Sequence, residues 1–154
     1  MIKINTISNN KTWNNYFTNP NNFIQKKVKN LNRRIKIYKR KSIYCTLLLS
    51  GDREIKKLNK KFRKKNISTD ILSFPFYNKK NLKKKLKKDK EIYLGDIIIN
   101  LNKIKNRHDK KKFKIEFNKL WVHGLVHLFG YDHKKNKDFN EMQKIEKKFL
   151  FYID

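Results

Sequence analysis

The runs SIYCTLLLS at 42–50 and IYLGDIIIN at 92–100 constrain the fold of this chain more than any other feature. Each is almost unbroken in apolar and aromatic side chains, too short for a membrane span of about 20 residues and the right length for a strand. Gly51-Asp52 stops the first run, which reads as a buried strand. The segment IKINTI at 2–7 alternates apolar and polar residues as a short first strand does. In DILSFPF at 70–76, Ile71, Ser73 and Pro75 alternate with Leu72, Phe74 and Phe76. Its proline has no N–H for a ladder, which predicts an edge strand or a strand that ends there.

Between these runs the period changes to that of a helix. Phe23, Ile24, Val28, Leu31 and Ile35 mark a helix over 22–35, and Ile55, Leu58 and Phe62 mark one over 53–62. A helix is expected from about Leu101 and a longer one over 113–129, where Phe117, Leu120, Trp121, Leu125 and Leu128 form a broad apolar face ended by Gly130. Phe139, Met142, Ile145 and Phe149 predict a closing amphipathic helix, with Asp138 and Glu141 available for capping. The lysine-rich stretch 78–91 reads as a solvated loop, the alternative being a basic arm facing RNA. The sum is about four strands and five helices, an α/β or α+β layered domain. At 154 residues one domain over 1–154 is expected.

The charge bears on partners. With 41 basic residues against 13 acidic ones the net charge is +28, a field that attracts nucleic acid. A codon bias towards A and T competes as an explanation, because nearly all the basic residues are lysine and alanine is missing. The charge therefore permits RNA binding without establishing it. Cys45 is alone, which excludes an internal disulfide and suits a reducing cytosol. MIKINTISNNKTW has no apolar core of the signal-peptide kind. A soluble cytoplasmic protein with no membrane role is the expectation.

Three of the four histidines fall within HGLVHLFGYDH at 123–133. His123 and His127 are four residues apart, so a helix presents both imidazoles on one face. Gly130 can end that helix in a left-handed turn and return His133 towards the pair. The skeleton H-x-x-x-H-x-x-G-x-x-H is that of three-histidine zinc sites in metzincin proteases. Three imidazoles leave a tetrahedral Zn2+ one open position for water, the mark of a catalytic site. Such an ion lowers the pKa of that water and polarises a phosphoryl oxygen. A closed structural site needs a fourth ligand, for which Cys45 and Asp132 are the candidates. Where zincin proteases carry their glutamate base, this chain has Gly124, which weakens a metalloprotease reading. Glycine there leaves room for substrate or backbone to approach the metal. His108, within NRHDKKK, reads as a surface residue.

HGLVHLFGYDH closely resembles the signature of the YbeY family of bacterial endoribonucleases, which act in ribosomal RNA maturation. LNKKFRKKNISTDILSFP at 58–75 is similar to the family's Leu-Asn, aromatic-Arg and Thr-Asp-x-Leu-Ser-Phe-Pro block. LGDIIIN at 94–100, Glu116 and EMQKIEKKFL also match in kind, so the resemblance covers about residues 42–151. It departs at Ser68, where proline is frequent, and at Phe62, where tyrosine is common. The resemblance implies a mixed four-stranded sheet packed with helices, and zinc held by His123, His127 and His133 on a zincin-like helix. It further implies single-strand-specific RNA cleavage, with the 3′ end of small-subunit (16S) rRNA as target and the ribosome as partner. By the same resemblance Arg63 is the functional arginine, a candidate catalytic residue beside His123. A planar guanidinium suits that role because it pairs with phosphate oxygens. The competing role for Arg63 is an ion pair with Asp70 or Asp96. Thr69, Asp70 and Ser73 read as turn and cap chemistry, Asp132 as an acceptor that orients an imidazole, and Tyr131 as packing. The alternative functions are a ribosome-associated RNA-binding or assembly factor with a structural metal and, less favoured, a metalloprotease.

Overall fold

The computed structural model describes residues 1–132 and 136–154. Four strands, β1 (Ile2–Ser8), β2 (Ser42–Ser50), β3 (Ile71–Pro75) and β4 (Glu91–Asn100), form one mixed sheet in the order β1-β2-β4-β3. β1, β2 and β4 run parallel, and β3 pairs antiparallel with β4. The proline-bearing segment is thus the edge strand, and Pro75 is its last residue. The helices are α1 (Pro20–Arg34), α2 (Asp52–Arg63), α3 (Lys79–Lys88), α4 (Lys110–Leu128) and α5 (Asn136–Ile153). Among the described residues no helix is long and apolar enough to cross a membrane.

One face of the sheet carries the main core. Ile2, Ile4, Ile43, Cys45, Leu47, Leu49, Ile92, Ile97 and Ile99 are buried there beneath α1, α4 and α5. Trp13, Phe17, Phe113 and Phe117 pack edge-on and tilted in the same cluster, and Trp13 donates Nε1–H to the Ser50 carbonyl at 3.1 Å. The donation satisfies the indole that this packing takes out of water. At the outer edge, the Asn32 side chain accepts from the Ile2 amide and donates to its carbonyl, while Gln25 donates to the Ile4 carbonyl. These side-chain amides occupy edge groups that would otherwise invite another strand. The opposite face carries α2, whose Ile55 packs on Leu72 and Ile98.

Three expectations change. The stretch read as a solvated loop contains α3, because Asn78 caps it by accepting from the Asn81 amide, and Leu82, four residues before Leu86, is buried in the core. Two leucines one turn apart and lysine's good helix propensity outweigh like-charge repulsion in water. The helix expected from Leu101 is a single 3-10 turn over Leu101–Lys103, after which Ile104 returns to extended backbone and is buried. Phe139 is 45 % exposed, so α5 packs through Met142 and Phe149, with Ile145 only partly buried.

Candidate active site

α4 positions the histidines because it is anchored along most of its length. Asp109 caps it by accepting from the Lys111 and Lys112 amides at 2.9 and 3.1 Å, and these bonds hold its carboxyl below the usual range. Phe113, Phe117, Trp121, Val122, Leu125 and Val126 are fully buried, so the helix cannot rotate without exposing them. Gly124 faces the sheet and not the cleft. A Cβ there would lie 2.7 Å from Cγ2 of Ile97 and 3.1 Å from Cδ1 of Ile71. Its absent side chain therefore lets α4 lie close on β3 and β4, which corrects the expectation that it opens space for substrate. A glutamate base at this position would be driven into Ile97, so the protease arrangement has no place here.

His123 and His127 project from α4 with ring centroids 4.6 Å apart, and both line a cleft of about 900 Å³. The His123 Nδ1 lies 2.6 Å from Oε1 of Glu146, on α5. The His127 Nδ1 lies 2.9 Å from the Tyr131 carbonyl oxygen. A carbonyl only accepts, so Nδ1 of His127 carries the proton and a neutral ring has its lone pair on Nε2. The carboxylate of Glu146 imposes the same tautomer on His123. This is how metal-binding histidines are oriented, and it fits the donor set of a zinc site.

The turn after α4 makes the second of these bonds. Gly130 has φ 85°, and its amide donates to the His127 carbonyl at 2.8 Å. That left-handed step swings the chain back and places the Tyr131 carbonyl over His127. Tyr131 thus acts through its backbone as well as by packing. His133 lies outside the described residues. Among the described residues no group of three His, Cys, Asp or Glu side chains is arranged to hold a metal.

Arg63 is the last residue of α2 and enters the same cleft from across β3. Its Nη2 donates to the Ser73 carbonyl at 3.2 Å, on the free edge of β3. Among the described residues it makes no ion pair with Asp70 or Asp96. Asp70 instead accepts from Thr69 Oγ1 and from the Ile71 amide, as turn chemistry predicts. Asp96 accepts from the Tyr93 hydroxyl. Ser73, Lys79 and Asp132 also line the cleft, whereas His108 is exposed and does not line it. Asp52, at the start of α2, fixes the loop before β3. It accepts from Ser68 Oγ at 2.6 Å, Asn100 Nδ2 at 2.7 Å and Asn102 Nδ2 at 2.8 Å, and these bonds lower its pKa to about 2. Ser68, the departure from the family pattern, is thus a working part of this network.

The residue missed from sequence is Glu146. It lies four residues after Met142 and three before Phe149, within the buried stripe of α5. A carboxylate in an apolar stripe was the available signal, since such a group needs a partner inside. Cys45 is buried among apolar residues, which pushes its thiol up to about 12 and makes it a poor metal ligand.

The family model described as Endoribonuclease YbeY matches residues 6–154. The chain belongs to the YbeY endoribonuclease family. A relative from Pelagibacter ubique named Endoribonuclease YbeY is 42 % identical over 149 residues, covering 95 % of this chain and 92 % of its own. Another of that name, from Ehrlichia canis, is 34 % identical over 152 residues, covering 97 % and 91 %. A solution structure from Thermotoga maritima superposes with a TM-score of 0.58 at 24 % identity, covering 99 % of this chain and 89 % of that one, and so shares the fold. The cleft of this YbeY family member lies where α4, α5, β3 and the end of α2 meet.

Proposed function

We propose that residues 1–154 form one metal-dependent endoribonuclease domain that cleaves single-stranded RNA in the cytoplasm. Ribosomal RNA is its substrate, at the 3′ end of the small-subunit (16S) precursor, with the ribosome as partner. The observation that carries this reading is the meeting of Arg63 with His123 and His127 in one cleft, both imidazoles held at Nδ1 by acceptors. His123, His127 and His133 would hold one zinc ion, with α4 as its zincin-like helix. The chemistry such an ion supplies when bound is Lewis acidity towards a phosphoryl oxygen and a lowered pKa for water.

The chain's own residues do the rest. Glu146 and the Tyr131 carbonyl fix the two rings, so no ring has to reorient as substrate arrives. The Ser73 carbonyl takes one N–H of Arg63, a lining residue of the cleft, and leaves the guanidinium further donors for a phosphate that enters it. There Arg63 stabilises the charge that develops on the phosphoryl oxygens. Arg63 and His123 are therefore the catalytic pair of this reading.

The test is cleavage of a labelled single-stranded RNA by zinc-loaded wild type, His127→Ala and Arg63→Ala. Cleavage by wild type and a loss of at least about 100-fold in each variant is the expected result. The reading fails if loaded wild type leaves the RNA intact, or if His127→Ala cuts it equally well.

A further inference from the structure

The face of the sheet opposite the core is only partly covered. Strand register arranges its side chains in cross-strand rows. Ile7, Leu48, Ile98 and Leu72 form one row, of which α2 covers Leu48, Ile98 and Leu72 through Ile55 and Leu58 while Ile7 at its end stays exposed. Two rows away, Lys3, Tyr44 and Tyr93 are aligned, and the row continues in Phe76 just beyond β3. Tyr44 is 42 % exposed and Phe76 64 % exposed, so water reaches this row. Its rings touch in sequence: Tyr44 to Tyr93 at 5.4 Å and Tyr93 to Phe76 at 5.8 Å between centroids.

A bulge in β4 builds this row. Between Tyr44 and Thr46 of β2, the partner strand advances from Tyr93 to Asp96, one residue more than a regular ladder. Gly95, at φ 129°, absorbs the extra residue. Without it Tyr93 and Asp96 would point to opposite faces. With it the Tyr93 hydroxyl donates to Asp96 Oδ1 at 2.5 Å and meets Thr46 Oγ1 at 3.2 Å, so its ring is held in place. The bulge therefore clamps a tyrosine on an open face, where it adds nothing to the main core.

We infer that this aromatic row is a stacking platform for single-stranded RNA, which then crosses the β3 edge into the cleft. The inference rests on the ribonuclease reading and deepens it by locating the flanking nucleotides. Exposed aromatic rings on a sheet face stack unpaired bases, because every base has a π-face that a duplex conceals. Charge selects a polyanion: Lys3 ends the row, Lys61 lies over the Phe62 ring, and the chain carries +28. Of the carboxylates in the two neighbouring rows, Asp96 is engaged by Tyr93, and Glu91, opposite Ser42, lies on the side of the row away from α2. Continuity decides the direction. Ile71, Ser73 and Pro75 of β3 line the cleft, Phe74 faces the platform side against Phe62, and Arg63 sits at the edge between them. A strand laid across the platform passes Arg63 on its way to the histidines.

The experiment measures fluorescence anisotropy with a labelled single-stranded 2′-O-methyl RNA, which resists cleavage, and with a duplex of the same length. Wild type, Tyr44→Ala, Phe76→Ala and Tyr44→Phe are compared, with melting temperature as the folding control. Each alanine variant is expected to bind the single strand roughly tenfold more weakly. The deficit should persist at raised salt, where phosphate contacts weaken, and Tyr44→Phe should bind as wild type does. Cleavage of a dinucleotide, which reaches only the cleft, should be unchanged in all three. Unchanged single-strand affinity overturns the inference, as does equal loss for the duplex. Retained RNA affinity with lost ribosome association would assign the face to a protein and overturn it as well. If no variant or wild type cleaves RNA at all, the affinities still decide the platform, so the two readings fail separately.

Discussion

Replacing Glu146 by alanine removes the acceptor that holds the His123 ring 2.6 Å from its carboxylate. The two side chains are 33 % and 24 % exposed, so solvent screens the pair and its share of fold stability stays below about 1 kcal/mol. Metal affinity responds differently. Without Glu146 the His123 Nδ1 loses the carboxylate that sets its orientation and tautomer, and loss of such an orienting partner typically costs about 10- to 100-fold in affinity. That corresponds to roughly 1.4–2.7 kcal/mol. Zinc competition against a chromophoric chelator measures it, with melting of the metal-free protein alongside. Glu146→Ala should bind zinc 10- to 100-fold more weakly while the metal-free melting temperature moves by a few degrees at most, all about these magnitudes. Glu146→Gln keeps a neutral acceptor and should fall between alanine and wild type. An alanine variant within about twofold of wild type would refute the reasoning, and so would a wild type that binds no zinc.

Two further predictions concern the scaffold of the site. Gly124→Ala gains about 1 kcal/mol of helix propensity but sets a methyl 2.7 Å from Cγ2 of Ile97, a stiff and fully buried side chain. Overpacking of this kind costs about 1–3 kcal/mol, so chemical denaturation should show a net loss of about 1 kcal/mol, and a more stable variant would contradict the packing role. Asp52 has its pKa lowered from 3.8 to about 2 by Ser68, Asn100 and Asn102, so its contribution is present above pH 3.8 and lost as pH falls towards 2. Urea unfolding between those pH values should therefore show a steeper fall in stability for wild type than for Asp52→Ala. Equal slopes would show that the network does not act on folding.

Local pattern was enough where one element decides the outcome. The strand over 42–50 was legible because its run of apolar and β-forming residues ends at Gly51-Asp52. The edge position of β3 followed from Pro75, and the helical pairing of His123 with His127 from their spacing. The helix within 78–91 is hidden in the sequence because composition weighs charge. Folding instead weighed Leu82, whose burial depends on a core made elsewhere. The role of Glu146 is not legible in the sequence because its partner is 23 residues away on another helix, a distance no periodicity encodes.

By itself the sequence determined the strand and helix periods, the two imidazoles one turn apart and the glycine that turns the chain after them. These rest on backbone geometry within a few residues. Only the tertiary structure decided that Gly124 seats α4 on Ile97, that Glu146 and the Tyr131 carbonyl choose the tautomers, and that Arg63 lines the same cleft as the histidines. Each of these depends on how close two elements pack, and that distance is set by side chains far apart in the chain.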